Sequence, residues 1–384
     1  MGESFSGGPG AIALDSTRKK AGTKEGGTHV KHSRKVVAVG LVAAVAAIVA
    51  TGASGGKRAS ILACGLMPDT KTSVRWEQFD RPYLEKAFKT AHVSARIVNA
   101  QGDPQKQKSQ ADQCIADGAK VLIVAPIDSG SAAAIERAAL AKGVKSIDYD
   151  RQVEGGTAVL YASFDGSQVG LLQGRGVVNG LKKARKYGSH PVVASLWGGQ
   201  EDANSYLFKG GVDKILNPLY AKGVLKRGPA QFVPAWDNQK AGTIFEQMLV
   251  KTSNKIDAVA AANDGLANAV VVALKAHKLK PVPLSGQDAT TQGAQNIISG
   301  WQTMTVWKDQ RLLASKTAAA AIRIAKGQKP LTTGFVTTKG RAKEPAYLIP
   351  PQSITKANWR LLISGTVPYL KKTDVCSGEF AKYC

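Results

Sequence analysis

The stretch SIDYDRQ, residues 146–152, closes an apolar run with two acids and a base almost side by side: Asp148, Asp150 and Arg151 flank Tyr149. A strand that merely stops would carry Gly, Asn or Ser at that point. Forked side chains placed where a strand runs out are groups aimed at a ligand. The pattern recurs. Asp128 and Asp150 end successive predicted strands 22 residues apart, and Asp264 and Asp288 end another two 24 residues apart.

The candidate residues at such ends, and in the loops after them, form one chemical set. Arg75, Asp150, Arg151, Asn204, Asn263, Asp288 and Lys308 are planar or charged hydrogen-bonding groups, and Trp76 and Trp236 are large flat faces. A sugar uses this mixture. Carboxylates accept from its hydroxyls, while Arg, Lys and Asn donate to its oxygens. The C–H faces of a pyranose lie against indole. Acids beside bases, as at Asp150–Arg151, neutralise each other locally and suit an uncharged ligand. Taken singly, Asp150–Arg151 reads as a surface ion pair, Trp236 as core and Lys308 as a solvated lysine. Their placement at strand ends in two matching halves argues for a site.

Elements that could position these groups are legible from residue 57 onwards. ASILACGLM, SARIVNA, KVLIVAP, VKSIDYD and TAVLYASF read as strands, alternating with helical patterns over 75–92, 104–118 and 129–143. The alternation restarts after residue 164, with strands expected at PVVASLWGG, QFVPAW, IDAVAAAND and PVPLSGQD, and a last helix at RLLASKTAAAAIRIAKG. Alternating β and α with continuous apolar strands argues for parallel sheets covered on both faces. Two doubly wound lobes with facing strand C-termini would place a ligand cleft between them.

The chain has 384 residues, enough for two such lobes, and a net charge of +24. Residues 1–53 contribute only four of those charges, from seven basic and three acidic residues. The rest is spread over the body, as in KKARK at 182–186, which favours anionic surfaces. No helix-turn-helix, RNP or zinc-finger pattern accompanies it, so no nucleic-acid partner is expected. KHSRK (31–35), the apolar VVAVGLVAAVAAIVA (36–50) and TGASGG read as an export signal, with cleavage after Ala53. An uncleaved membrane anchor is the alternative, although 15 apolar residues are short for a span. The polar residues ahead of it imply a long n-region or a translation start near Val30.

Export makes the four cysteines candidates for disulfides. Cys376 and Cys384 close a short loop and are the favoured pair; Cys64 with Cys114 is the other pairing. ILAC (61–64) resembles a lipoprotein box, but the charged GKRAS separates it from the apolar run, and Cys64 falls inside a predicted strand.

An extracellular enzyme is the competing class. GASGG (52–56) matches G-x-S-x-G, yet no strand precedes it and no helix follows. The histidines at 29, 32, 92, 190 and 277 have no metal spacing and no nucleophile to pair with. GRG (174–176) lies within a helical pattern and lacks a third glycine. Nothing around Lys308 would activate it for a Schiff base. Neither catalysis, nor a cofactor, nor a metal is expected.

In order along the chain, PDTKTSVRWEQFDRPY (68–83), YDR (149–151), YASFDGSQVG (161–170), WGGQEDAN (197–204), AANDG (261–265), SGQDA (285–289) and QTMTVWK (302–308) resemble the type I periplasmic sugar-binding proteins of ABC transporters, nearest the D-xylose-binding branch. The resemblance covers about 57–370. It implies two Rossmann-like lobes with parallel sheets, joined by a three-segment hinge. It implies a monosaccharide ligand gripped by Arg75, Trp76, Asp150 and Arg151 from the N-terminal lobe. Asn204, Trp236, Asn263 and Asp288 would act from the second lobe, and Lys308 near a crossing segment. Asp165 and Asp202 are secondary candidates. It further implies an exported monomer that delivers sugar to a membrane permease, or, alternatively, signals to a receptor. The lobes are expected at 57–163 plus 308–330 and at 164–307 plus 331–384. Two departures bear on which sugar is bound. Gly166 follows SFD where the xylose proteins tend to have Asn, and the WGGQEDAN loop is one residue shorter.

Overall fold

The computed structural model describes residues 61–384; the export-signal and anchor expectations fall outside them. The first half alternates as expected: β1 (Ala63–Met67), α1 (Arg81–Thr90), β2 (Ala95–Asn99), α2 (Pro104–Ala116), β3 (Val121–Val124), α3 (Ser129–Ala141), β4 (Lys145–Tyr149) and β5 (Leu160–Phe164). A single π-helical turn, Trp76–Asp80, precedes α1. The second half follows with α4 (Gly166–Lys183), β6 (Val192–Trp197), α5 (Ala203–Ala221), β7 (Lys226–Phe232), α6 (Asn238–Lys251), β8 (Ala258–Ala261), α7 (Asp264–Ala276), α8 (Thr291–Ser299) and β9 (Met304–Trp307). Then come α9 (Gln310–Ala325), β10 (Gly334–Thr338), β11 (Arg341–Ile349) and β12 (Gln352–Thr355).

The first lobe is a seven-stranded sheet in the order β10-β11-β5-β4-β3-β1-β2, parallel except for β10. Ile147, Leu160, Phe88, Leu313 and Ala321 pack on one face, and Leu122, Val124, Ile135 and Cys114 on the other. Strands covered on both faces need no polar alternation, and β1, β3 and β5 are buried throughout. The second lobe carries β7-β6-β8, all parallel. Parallel bridges Val259–Leu284 and Gln287–Val306 extend it to β9, which pairs antiparallel with β12. PVPLSGQD therefore lies in the sheet but forms bridges rather than a strand: Pro281 and Pro283 have no N–H to donate.

The chain crosses between lobes at 164–166, 307–310 and 349–352. At one point two crossings touch, Asp165 N–H donating to the Ile349 carbonyl at 3.2 Å. The expected lobe boundaries need one correction. Residues 334–349 belong to the first lobe, because β11 pairs with β5 from Ala346–Tyr161 to Ile349–Phe164. The tail from 352 packs on the second lobe, with Ile354, Trp359 and Leu362 against Ile297 and Ile298 of α8.

Both cysteine pairings are present. Cys64–Cys114 ties β1 to α2, and Cys376–Cys384 closes the tail. A buried Cys64 inside β1 and in a disulfide is not a lipidation site.

Candidate functional site

All nine candidate residues converge on one buried cleft where the strand C-termini of the two lobes face each other. Thr72, Ser73, Asp202, Phe208 and Gln287 complete its lining.

Backbone geometry aims three of these side chains. Asp150 follows β4 at φ 62°, Trp236 ends a turn at φ 54°, and Asp288 sits at φ 94°. Left-handed conformations at non-glycine residues cost energy and persist where the surroundings over-determine them. Around Asp150 that determination is visible. Its carbonyl accepts from Ser163 Oγ at 2.7 Å and Asn204 Nδ2 at 3.0 Å, and the Tyr161 hydroxyl lies 3.0 Å away.

Charges are paired throughout. Arg75 donates Nε and Nη2 to the two oxygens of Asp80, each at 2.7 Å, and Nη1 to Asp150 Oδ1 at 2.6 Å. The Tyr149 hydroxyl also donates to Asp80, at 2.7 Å. Lys308 lies between the lobes' acids, 3.2 Å from Asp150 Oδ1 and 3.5 Å from Asp288 Oδ1. Burial opposes the charge of Asp150, but Arg75 and then Lys308 outweigh it and hold the carboxyl well below the usual carboxylate range. Arg151 forms an ion pair with Asp202 at 2.9 Å and donates to the Pro126 carbonyl at 3.1 Å. With Asp80 included, three cations face four carboxylates, a nearly balanced set that suits an uncharged ligand.

Two indoles line the cleft. Trp76 lies close to two guanidinium groups, Arg75 at 4.6 Å and Arg151 at 5.3 Å from its ring, and its Nε1 donates to Thr72 Oγ1 at 3.1 Å. Trp236 meets Phe208 edge-on at 6.3 Å and lies against Gly198, where a Cβ would come within 2.0 Å of the ring.

Several contacts span the lobes: Arg151–Asp202, Asn204 to the Asp150 carbonyl, Asn263 Nδ2 to the Thr72 carbonyl at 3.3 Å, and Ser73 Oγ to Asp288 at 3.0 Å. The cleft is thus closed, with a cavity of about 20 Å³. That holds one water and is too small for a sugar, so a ligand must enter with the lobes apart.

Some strand-end acids have other work. Asp128 and Asp165 cap α3 and α4 through their side chains and stay out of the cleft. Asp264 is buried beneath it, accepting from Gln302 Nε2 and Thr290 N–H; burial pushes its carboxyl up to about 7. Asp202 caps α5 and also reaches Arg151. Asp80, the buried partner of Arg75, was not singled out from the sequence. Its signal is a carboxylate one π-helical turn after the arginine. Gly166 has a packing reason: a Cβ there would stand 3.0 Å from Leu207.

Two α/β lobes joined by three crossings, with a buried polar cleft at facing strand ends, define a bilobed binding protein. Residues 64–329 match the periplasmic binding protein domain family, and the chain belongs to it. It is 32% identical over 297 residues to the D-xylose-binding periplasmic protein of Escherichia coli (strain K12), covering 77% of this chain and 87% of that protein. It is 33% identical over 301 residues to the D-xylose-binding periplasmic protein of Haemophilus influenzae, again covering 77% and 87%. Its fold superposes with a TM-score of 0.76 on an ABC transporter solute-binding protein from Clostridium phytofermentans solved with bound β-D-glucose, at 28% identity over 82% of this chain and 99% of the other.

Proposed function

We propose that this protein is the exported sugar-binding component of an ABC transporter, taking one xylose-like monosaccharide into the interlobe cleft and presenting it to a membrane permease. In this reading Asp150 and Asp288 accept from sugar hydroxyls, while Arg75, Arg151, Asn204, Asn263 and Lys308 donate. Trp76 and Trp236 cover the ring. The protein does no chemistry on the sugar.

The observation that carries this reading is a pair of buried cleft atoms without a hydrogen bond, Trp236 Nε1 and Gln287 Oε1, beside Asp288 Oδ1, which has only the 3.5 Å ion pair with Lys308. Buried polar groups ordinarily have partners. One donor and two acceptors, around a charge-balanced cleft, match hydroxyls that donate and accept at once. Because a sugar would touch both lobes, it would favour a closed arrangement over the open one, with the lobes parted from their present spacing by enough to admit the ring.

The test is thermal unfolding against D-xylose, D-glucose, D-ribose, L-arabinose, D-galactose and myo-inositol. A true ligand at a hundred times its Kd adds about 2.7 kcal/mol, enough to raise Tm by several degrees. The sugar should be recovered chemically unchanged. No shift with any sugar, together with no small molecule retained through purification, would sink the reading.

A further inference from the structure

The second lobe is polarised in charge. Its helix N-termini lie at the cleft end and are capped by Asp165, Asp202, Asp237 and Asn263. Its helix C-termini lie at the opposite edge of the sheet, because each parallel strand must be re-entered from the same side. Five short connections meet there, four of them basic, while the α8–β9 turn at 300–303 carries no charge. The α4–β6 connection carries KKARK (182–186), and α5–β7 carries KGVLKR (222–227). The connection from α6 to β8 carries KTSNK (251–255), and KAHKLK (275–280) follows from the end of α7. Every lysine and arginine in these stretches is exposed. The one acid in the four connections, Asp257, is already occupied by Lys186 at 2.7 Å and the Val192 N–H at 2.9 Å.

Helix C-termini favour cations through the dipole, so some basic residues are expected at every such end. The first lobe shows that background. Its four equivalent connections, counted to the same limits, hold Lys89, Arg96, Lys120, Lys142, Lys145, Lys326 and Lys329 with Asp117. The second lobe carries twelve lysines and arginines against one acid over five connections, and the first lobe seven against one over four, so the second is the more basic per connection by about half. Lysine predominates over arginine; a hydrated point charge suits diffuse attraction to many headgroups better than the forked grip on one phosphate. The end is built of short turns along a single sheet edge, which is a face for a surface and not a groove for a strand.

We propose that this basic end of the second lobe docks reversibly on an anionic lipid bilayer. Docked so, the strand C-termini and the cleft point away from the bilayer, and the cleft stays accessible while the protein is held at the surface.

The test is co-sedimentation of the full chain with vesicles of phosphatidylcholine, with and without about a third phosphatidylglycerol, at about 50 mM and about 0.5 M salt. The expected result is partition at least tenfold higher on the anionic vesicles at low salt, and lost at high salt. A quadruple variant, Lys182→Glu, Lys183→Glu, Lys278→Glu and Lys280→Glu, should lose at least tenfold. A control with the same charge change on the first lobe, Lys89→Glu, Lys120→Glu, Lys142→Glu and Lys145→Glu, should lose less than twofold. The apolar 36–50 stretch is common to all three chains, so differences between them report the charged ends. Equal loss in both variants, or equal partition onto neutral vesicles, would overturn the proposal. Preference for a soluble poly(glycerol phosphate) over the vesicles would overturn it too and assign the face to a polymer. Sugar-dependent thermal shifts in the quadruple variant report separately on the cleft.

Discussion

Arg151 of the first lobe and Asp202 of the second form an ion pair of 2.9 Å across the cleft, with both side chains almost fully buried. The pair exists only while the lobes are together; separating them returns both groups to water. It therefore acts on the open–closed balance more than on the folding of either lobe. Removing one partner of a buried pair costs about 3–5 kcal/mol, because the other charge is left stranded. Here that cost falls on the closed state.

Asp202→Asn should consequently lower sugar affinity by about two to three orders of magnitude, since each 1.4 kcal/mol is a factor of ten. The unfolding temperature without sugar should change little, because Asn keeps the α5 cap. Titration calorimetry beside thermal unfolding separates the two effects. An unchanged affinity would show that the pair does not report on closure.

Arg75 bears on the fold as well as the cleft, because its Asp80 partner lies in the same lobe and is fully buried. Arg75→Lys replaces a fork with a point charge and breaks the bidentate pairing. The expected loss is about 3 kcal/mol of stability, read as a fall in denaturant midpoint with unchanged slope. A neutral result would mean that Tyr149 and solvent satisfy Asp80 unaided.

The acids titrate with opposite signs. Asp150 is held below the ordinary carboxylate value, so its contribution is present above about pH 4 and is lost as pH falls towards its depressed folded value. Asp264 is raised to about 7 by burial. The unfolded carboxyl ionises near pH 4, while the folded one keeps its proton to about 7. Its contribution is thus full below about pH 4 and is lost as pH rises through 7. Wild-type stability should fall between about pH 4 and 7, and Asp264→Asn should flatten that slope whatever its effect on the absolute value. An unaltered slope in the variant would assign the pH dependence elsewhere, Asp148 being the next carboxyl raised by burial and by Glu136 beside it.

The cleft was largely legible because polar residues at the ends of apolar strands stand out against a continuous hydrophobic run. That signal cannot separate an acid that grips a ligand from one that caps the next helix. Asp128 and Asp150 look alike in sequence, yet Asp128 serves the Ser131 N–H. The difference is one of backbone: Asp150 turns into the left-handed region and Asp128 stays extended at φ −142°. The lobe boundary was missed because β10 and β11 form the half-exposed edge of the first sheet, with Pro345 inside β11. Their apolar content is too low to mark them, and which sheet they join depends on a pairing with β5 almost two hundred residues earlier.

Gly198 offers a sharper test of the stacking face than truncating the indole itself. Trp236→Ala would open a large hole in a buried cluster and cost about 3–5 kcal/mol, confounding binding with folding. A methyl group at Gly198 instead meets the Trp236 ring at 2.0 Å and must displace it. The ring lines the cleft and meets Phe208 edge-on, so displacing it alters the face it offers there. Gly198→Ala should cost about 1–3 kcal/mol of stability, as overpacking does. It should also lower affinity for pyranoses at least tenfold and shift the tryptophan emission. Retained sugar affinity with a shifted emission would show that Trp236 is packing for the lobe and not a face for the ligand.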